Sequence, residues 1–151
     1  VGARGEFSPK LKGKFAIGLN TRKLDRGGDE TQLGIESNFT YEISPKTNFD
    51  FGVSNDFGTT PQGQQQKNFS LNGTINTKLT EQWSVNAGLN YRATDYGTRT
   101  DDYIEGTLGA TYIVNENVKI VGGYVYRNYA SDISASEFKN NVFSVAANFR
   151  Y

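Results

Sequence analysis

Residues 83–94 read WSVNAGLNYRAT, with an apolar side chain at nearly every second position. Trp83, Val85, Ala87, Leu89 and Tyr91 alternate with Ser, Asn and Gly. Side chains alternate between the two faces of a strand, whereas on a helix one face recurs every 3.6 residues. The stretch therefore predicts a β-strand with one apolar face and one polar face.

The same alternation recurs along the chain and predicts nine strands. They lie at residues 1–8, 11–24, 31–43, 47–58, 67–79, 83–96, 103–114, 118–130 and 138–151. Most of these runs have 12 to 14 residues. A typical globular strand has about 5 to 6 residues, and a tilted strand needs about 9 to 11 to cross a bilayer. The lengths therefore favour a membrane barrel, or at least a large barrel.

A short polar turn recurs between the predicted strands. It reads Ser8-Pro9-Lys10, then Ser44-Pro45-Lys46, Thr80-Glu81-Gln82 and Asn115-Glu116-Asn117, at spacings of 36, 36 and 35 residues. Longer polar segments lie halfway between these turns, at 24–30, 58–66, 96–102 and 130–137. Short turns alternating with long loops are typical of outer-membrane barrels, whose short turns face the periplasm.

The composition excludes several kinds of chemistry. The 151 residues include no Cys, no His and no Met, and 16 Lys plus Arg balance 16 Asp plus Glu. Without Cys or His there is no disulfide framework, zinc finger or Ser-His-Asp triad. A net charge of zero argues against binding to nucleic acid. We therefore expect no enzymatic activity, no catalytic residues, no metal site and no cofactor.

The apolar face carries more bulk than the inside of a small barrel can hold. By the predicted registers, it holds 16 of the 20 aromatic residues. Because an eight-stranded barrel is just filled by its own side chains, this set fits a lipid-facing surface better than the interior of a soluble barrel, which is the alternative. Rings near strand ends are expected at the headgroup level. The predicted lipid-facing aromatic belt comprises Phe39, Tyr41, Phe49, Phe51, Trp83, Tyr91, Tyr112, Tyr124 and Tyr126.

The opposite face would then line the lumen. Its predicted pore-lining residues are charged, with both signs mixed: Arg4, Glu6, Lys14, Arg22, Glu36, Glu42, Asp50, Asp56, Lys78, Arg92, Glu105, Lys119, Arg127 and Arg150. They would form a hydrated wall without strong charge selectivity in a wide barrel. In a closed eight-stranded barrel, we expect them instead to pair across a narrow lumen and plug it.

The final strand carries apolar residues at its last position and at every second position before it. These are Phe143, Val145, Ala147, Phe149 and Tyr151. The pattern resembles the C-terminal insertion signal that bacterial outer-membrane proteins present to the barrel-insertion machinery. A plain amphipathic last strand is the alternative.

Four segments resemble a known family: residues 2–11 (GARGEFSPKL), 90–96 (NYRATDY), 123–127 (GYVYR), and 140–142 (NNV) with the strand that follows. They are similar to the C-terminal part of the outer-membrane β-barrel porins that include barrels associated with exopolysaccharide export. The resemblance runs across essentially the whole chain. It implies a large outer-membrane barrel and a route for polysaccharide, and it brings no catalytic residues with it.

The strand count leaves two ways to close a barrel. The first and last of nine antiparallel strands run in the same direction, and bacterial single-chain barrels avoid closing on a parallel pair. Either the chain is the C-terminal half of a barrel of about 18 strands, or strands two to nine form a complete eight-stranded barrel. Residues 1–10 are then either a first strand or an N-terminal extension of a single domain, 1–151.

The sequence thus predicts an all-β, transmembrane, antiparallel up-and-down β-barrel meander of 8–9 long strands, in the outer membrane of a Gram-negative bacterium. We expect all or part of a porin-like channel, with polysaccharide export implied by the resemblance. The alternative is a small closed barrel whose external loops contact lipopolysaccharide or a partner protein without transport. Expected partners are outer-membrane lipid and lipopolysaccharide, the insertion machinery, and the missing N-terminal barrel half or an export complex, but no nucleic acid.

Overall fold

The computed structural model describes residues 1–22, 30–59 and 65–150, with the side chains of all of them except Arg22, Glu30, Gln65 and Ser134. Nine strands and one 3-10 turn, Ser134–Ser136, lie within these ranges. The strands are β1 (Gly2–Ser8), β2 (Leu11–Arg22), β3 (Glu30–Ser44), β4 (Thr47–Thr59), β5 (Gln65–Lys78), β6 (Trp83–Asp95), β7 (Thr100–Asn115), β8 (Val118–Ser131) and β9 (Phe138–Phe149). No helix in the described ranges is long and apolar enough to cross a membrane.

All nine strands form one antiparallel sheet in chain order, so each strand pairs with its neighbours in the sequence. This confirms the predicted all-β, up-and-down meander. Residues 1–10 contribute a strand, because β1 pairs with β2 from Gly2 opposite Ala16 to Glu6 opposite Lys12. In the part of the chain that the structure describes, no strand pair joins β9 to β1 or β2. The sheet is therefore open, with β1 and β9 as its two edges.

The short turns share one construction. In each turn a Ser, Thr or Asn side-chain oxygen accepts a hydrogen bond from the backbone N–H two residues later: Ser8 from Lys10, Ser44 from Lys46, Thr80 from Gln82 and Asn115 from Asn117. Such local bonds stabilise tight turns. The register shifts by one residue before three of these turns, between Glu6 and Ser8, Glu42 and Ser44, and Ile113 and Asn115. The 36-residue repeat of the sequence is therefore a repeat of structure.

Strand β7 begins earlier than the sequence predicts, at Thr100 rather than at residue 103. Asp101 lies opposite Ser131 and Asp102 lies opposite Ala130. The Asp101 carboxylate accepts hydrogen bonds from the hydroxyls of Tyr129 (2.5 Å) and Ser131 (2.6 Å) and is 2% exposed. Aspartate is depleted in strands, but these contacts from β8 override that preference.

The sheet has two chemically different faces, and its described residues form no hydrophobic core. One face, the apolar face, comprises the odd-numbered positions of β1–β6 and β9 and the even-numbered positions of β7 and β8. None of the hydrophobic side chains in the described ranges is buried, and on this face Val145 of β9 is 82% exposed. A soluble β-sandwich would bury such a face against a second sheet. No described segment of this chain covers the apolar face.

The sheet curves toward its polar face. The Cα atoms of β2 and β4 approach within 8 Å across β3, whereas a flat sheet would hold alternate strands about 9.5 Å apart. A Cβ atom added at Gly52 or Gly88, on the polar face, would lie within 2.7 Å of a neighbouring side chain. A Cβ added at Gly106 or Gly122, on the apolar face, would meet nothing within 4 Å. Among the strand glycines, Gly18 on the polar face and Gly13 on the apolar face depart from this division. Side chains converge on the inside of a curve, so the polar face is the concave one.

Candidate functional site

The candidate site is the concave face, which we call the polar wall. It comprises the even-numbered positions of β1–β6 and β9 and the odd-numbered positions of β7 and β8, between the turns. Its centre is a ladder made mostly of amides and hydroxyls, with Asn38, Asn72 and Asn90 at one level and Thr40, Thr74 and Thr107 at the next. The carboxylate of Asp50 lies between Thr40 and Thr74 at the second level. The amides and hydroxyls offer both hydrogen-bond donors and acceptors.

The registers bring twelve of the fourteen predicted pore-lining residues onto the polar wall: Arg4, Glu6, Lys14, Glu36, Glu42, Asp50, Asp56, Lys78, Arg92, Glu105, Lys119 and Arg127. The side chain of Arg22 lies outside the described part of the chain. Arg150 follows β9, and its backbone N–H donates to the carbonyl of Asn117 at 2.8 Å. That these residues line a pore stays a prediction.

The predicted aromatic belt lies entirely on the apolar face and forms ring clusters there. The ring centroids of Phe39 and Phe51 are 5.3 Å apart, and those of Trp83 and Tyr112 are 4.7 Å apart. Phe143, Val145, Ala147 and Phe149 of the predicted insertion signal share this face on β9. Tyr151, the last residue of that signal, lies outside the described residues. Contact of the belt with lipid and recognition of the signal remain predictions.

Several charged residues in the half of the polar wall near the short turns are bonded to side chains of adjacent strands. Lys12 and Glu6 form an ion pair with a nitrogen–oxygen distance of 3.0 Å, and Lys14 pairs with Glu36. Asp50 accepts hydrogen bonds from Thr40 at 2.5 Å and from the amides of Asn48 and Asn76. These exposed pairs hold neighbouring side chains in position rather than contributing much stability.

Charges in the half near the long loops are paired in the same way. The Arg127 Nε donates to Glu105 at 2.7 Å, and the Tyr103 hydroxyl donates to the same carboxylate at 2.7 Å. Asp101 is bonded by Tyr129 and Ser131 and lies 3.2 Å from the Arg99 guanidinium. Glu105 and Asp101 therefore each have a cationic partner, and the polar wall carries hydrogen-bonding groups in both halves.

Three aromatic residues of the polar wall were missed by the sequence reasoning. Tyr103, Tyr129 and Phe138 lie on the face opposite the aromatic belt. The predicted apolar face left out only four aromatics, Tyr96 and these three. The sequence carries a signal for them, because in the alternation of its strand each of the three falls among the polar residues and not among the apolar ones. Among the described residues, no group of three or more Asp and Glu side chains is placed to hold a metal ion.

The comparisons with known proteins agree with this architecture. The model of one protein family, described as "Putative beta-barrel porin 2", matches residues 1–151, the whole chain. Searches of curated proteins and of solved structures find no match. The open antiparallel meander with one apolar and one polar face is the construction of a transmembrane barrel wall. The chain therefore belongs to the β-barrel porin family that this model describes.

Proposed function

We propose that this chain forms part of the wall of an outer-membrane channel, with the polar wall facing the aqueous lumen and the apolar face toward lipid. The observation that carries the proposal is the sheet itself. Its polar side is concave, and successive side chains of each strand point alternately to the polar and the apolar side. Among the described residues, no hydrophobic side chain is buried. This is the reverse of a soluble ligand-binding barrel, which keeps its apolar side chains inside.

The dimensions of the apolar face support a membrane setting. On β5 and the turn after it, apolar side chains run from Phe69 to Leu79. Ten residues span about 34 Å along a strand, and a tilt near 40° leaves about 26 Å along the membrane normal, close to the apolar band of about 25 Å in such barrels. Lys67 and Asp95, at the loop side of this run, lie opposite each other on the same face. They would mark its outer boundary.

The open edges support a barrel larger than nine strands. β1 and β9 run in the same direction, so direct pairing between them would be parallel. An odd number of further antiparallel strands closes the barrel without a parallel pair. We propose that the N-terminal half of a larger barrel in the same polypeptide supplies these strands, since an unpaired edge in lipid leaves backbone groups unsatisfied. The smaller eight-stranded alternative needs β9 to pair with β2, a pairing absent from the described strands.

We further propose that the transported material is polysaccharide and that the role is not enzymatic. A wide lumen lined by Asn, Ser and Thr with paired charges offers many weak hydrogen bonds to a polyhydroxylated chain. The membrane partners would be outer-membrane lipid, lipopolysaccharide and the barrel-insertion machinery. An export complex would supply the polymer from the periplasmic side.

Single-channel recording tests the proposal. The full-length protein, inserted into planar bilayers, is expected to give stepwise ion conductance. In an Asn90→Cys variant, a bulky cationic thiol reagent should lower that conductance, because Asn90 lies on the polar wall. The matched Leu89→Cys variant should be unaffected, because Leu89 lies on the apolar face. Correctly inserted protein without conductance, or equal sensitivity of the two variants, would contradict the proposal.

A further inference from the structure

Three aromatic side chains stand side by side on the polar wall. Tyr103 of β7 lies directly opposite Tyr129 of β8, and Tyr129 lies directly opposite Phe138 of β9. We call these three residues the aromatic row. Arg92 of β6 lies opposite Tyr103 on the other side, with its guanidinium carbon 5.4 Å from the Tyr103 ring centroid. The row thus runs across the wall, perpendicular to the strands.

The rings of the row present an apolar strip to the lumen side. The Tyr129 and Phe138 rings are nearly parallel, with an interplanar angle of 7° and centroids 5.4 Å apart. Phe138 is 47% exposed. The Tyr103 and Tyr129 hydroxyls are held by Glu105 and Asp101, so the orientation of both rings is constrained. Among the described residues, Tyr103, Tyr129 and Phe138 are the aromatic residues that the strands place on the polar wall.

Hydrogen-bonding groups flank the row on both sides, and their charges are balanced. The paired residues Glu105 and Arg127 lie one level toward the short turns, and Asp101 and Ser131 lie one level toward the long loops. Glu105 is bonded by Arg127, and Asp101 lies beside Arg99. A charged ligand that bonds to Glu105, Arg127 or Asp101 would have to displace one of these ion partners, whereas the Arg92 guanidinium lies over the Tyr103 ring. A neutral ligand with many hydroxyl groups could add hydrogen bonds while leaving the ion pairs intact.

A purely structural role in the polar wall does not require the complete aromatic row. Anchoring Asp101 requires the hydroxyls of Tyr129 and Ser131 but not the Phe138 ring, which offers no hydrogen bond. The next strand of a larger barrel would cover the edge side of Phe138, but the ring would still leave apolar area on the polar wall that a ligand could cover. The faces of aromatic rings carry negative partial charge, and the C–H groups on the face of a sugar ring carry positive partial charge. A sugar ring lying against an exposed ring face of the row would therefore match its charge.

We propose that the aromatic row and its flanking residues form a binding subsite for a neutral saccharide, in which a sugar ring stacks on Tyr129 and Phe138 while its hydroxyls bond to Arg127 and Glu105. The proposal rests on the function proposed above, because it needs the polar wall to face water. It adds a location for the contact, at the end of the wall near the long loops, and a preference for uncharged over acidic sugars.

Equilibrium binding to the full-length protein in detergent tests the subsite. The probes are maltohexaose, a neutral glucose oligomer, and hexagalacturonate, an acidic oligomer of similar length, both measured by calorimetry. Maltohexaose is expected to bind more tightly. In a Tyr129→Leu/Phe138→Leu variant its dissociation constant should rise about tenfold, as expected from the loss of stacking on two rings. Tyr129→Phe, which keeps the ring, should bind nearly as the wild type does.

The matched control uses the same two strands. Tyr124 and Phe143 also pair β8 with β9, with ring centroids 4.7 Å apart, but on the apolar face. Tyr124→Leu/Phe143→Leu should leave maltohexaose binding unchanged. Folding of every variant is checked by heat-modifiable migration on gels, and the single Phe138→Leu variant, which leaves the Asp101 contacts in place, replaces the double variant if that one does not fold.

Binding and conductance separate this inference from the proposed function. Conducting protein that binds no maltohexaose, or binds hexagalacturonate more tightly, overturns the subsite and leaves the channel intact. Equal binding by the wild type and the row variant also overturns it. Loss of binding in the row variant, with the control variant unchanged, supports the subsite even if the protein gives no conductance, in which case the channel proposal alone fails.

Discussion

Gly52 illustrates at the scale of one residue how the curvature of the sheet restricts side chains. A Cβ at this position would lie 2.7 Å from the Asn38 Oδ1, 2.8 Å from the Asn72 Oδ1 and 2.9 Å from the backbone carbonyl of Ser37. The two amides come from the strands on either side, and the carbonyl cannot rotate away. Only hydrogen fits there without movement of the backbone.

We therefore expect Gly52→Ala to destabilise the folded protein by about 1 to 3 kcal/mol, the usual range for overpacking. Gly122→Ala is the control, because its added methyl group meets nothing within 4 Å. Urea unfolding in detergent micelles, followed by heat-modifiable gel migration, measures both. Equal stability of the two variants would show that the polar side is not the crowded, concave side.

Adjacent residues of β6 should respond in opposite ways to the same charge. Leu89 is 56% exposed on the apolar face, whereas Asn90 lies on the polar wall opposite Glu105. If the apolar face meets lipid, Leu89→Arg should lower stability in bilayers by about 2 to 4 kcal/mol, the effect of arginine near the membrane midplane. Asn90→Arg should have little effect, because water and Glu105 solvate the charge.

Unfolding of both arginine variants in lipid vesicles checks this expectation. A larger loss of stability for Asn90→Arg than for Leu89→Arg would indicate that the polar wall contacts lipid, which contradicts the proposed orientation.

The sequence predicts the face of a residue where the alternation of its own strand determines it. It does not predict properties that depend on contacts with another strand. The period of two in residues 83–94 was enough to assign Leu89 and Asn90 to opposite faces. It did not reveal that Asp101 is buried, because the hydroxyls that bind it come from β8, some 30 residues away. Likewise, Tyr103, Tyr129 and Phe138 become one row only through the registers of three strands.

At the scale of the element, β9 combines an open edge with an exposed apolar face. It pairs with β8 along one side, and Phe143 and Val145 are its most exposed large apolar side chains. In water such a strand would promote aggregation. In a membrane barrel it would be covered by lipid and by the next strand, which agrees with an insertion signal read before the barrel closes.

Substitution at the end of β9 tests the signal. We expect Phe149→Asp to reduce the amount of folded protein in the outer membrane severalfold, because the charge interrupts the apolar pattern that the machinery would recognise. Asn148→Asp is the control, since residue 148 lies on the polar wall opposite Lys119. The measurement is the heat-modifiable fraction in isolated outer membranes. A similar yield of both variants would contradict a role for the apolar positions.

The limits of the strands could also be predicted from the sequence, since every predicted start and end falls within three residues of the observed one. The polar turns supplied these limits, because Ser8, Ser44, Thr80 and Asn115 start each turn by a local hydrogen bond. Local bonds of this kind depend on neighbouring residues and so leave a sequence signature. The early start of β7 depends on contacts with β8 and leaves none.

At the scale of the whole molecule, the sequence predicted the meander but left its closure open, because closure depends on which strands meet at the edges. The structure shows β1 paired along its length with β2 and no partner for the outer side of β9 among the described strands. An open nine-stranded sheet fits a segment of a larger barrel. A wider barrel would also keep the mixed charges of the polar wall from pairing across the lumen.

The central claim is that the polar wall faces water while the apolar face meets lipid. Residues 1–151 contain no cysteine. After replacement of any cysteine elsewhere in the full-length protein by serine, single spin labels can be placed at successive positions of β6 from Ser84 to Thr94 in lipid vesicles. Accessibility to oxygen, which concentrates in lipid, should peak at Val85, Ala87, Leu89 and Tyr91. Accessibility to a water-soluble nickel complex should peak at Asn86, Gly88, Asn90 and Arg92. The reverse phase, or access of the nickel complex to every position, would contradict the claim.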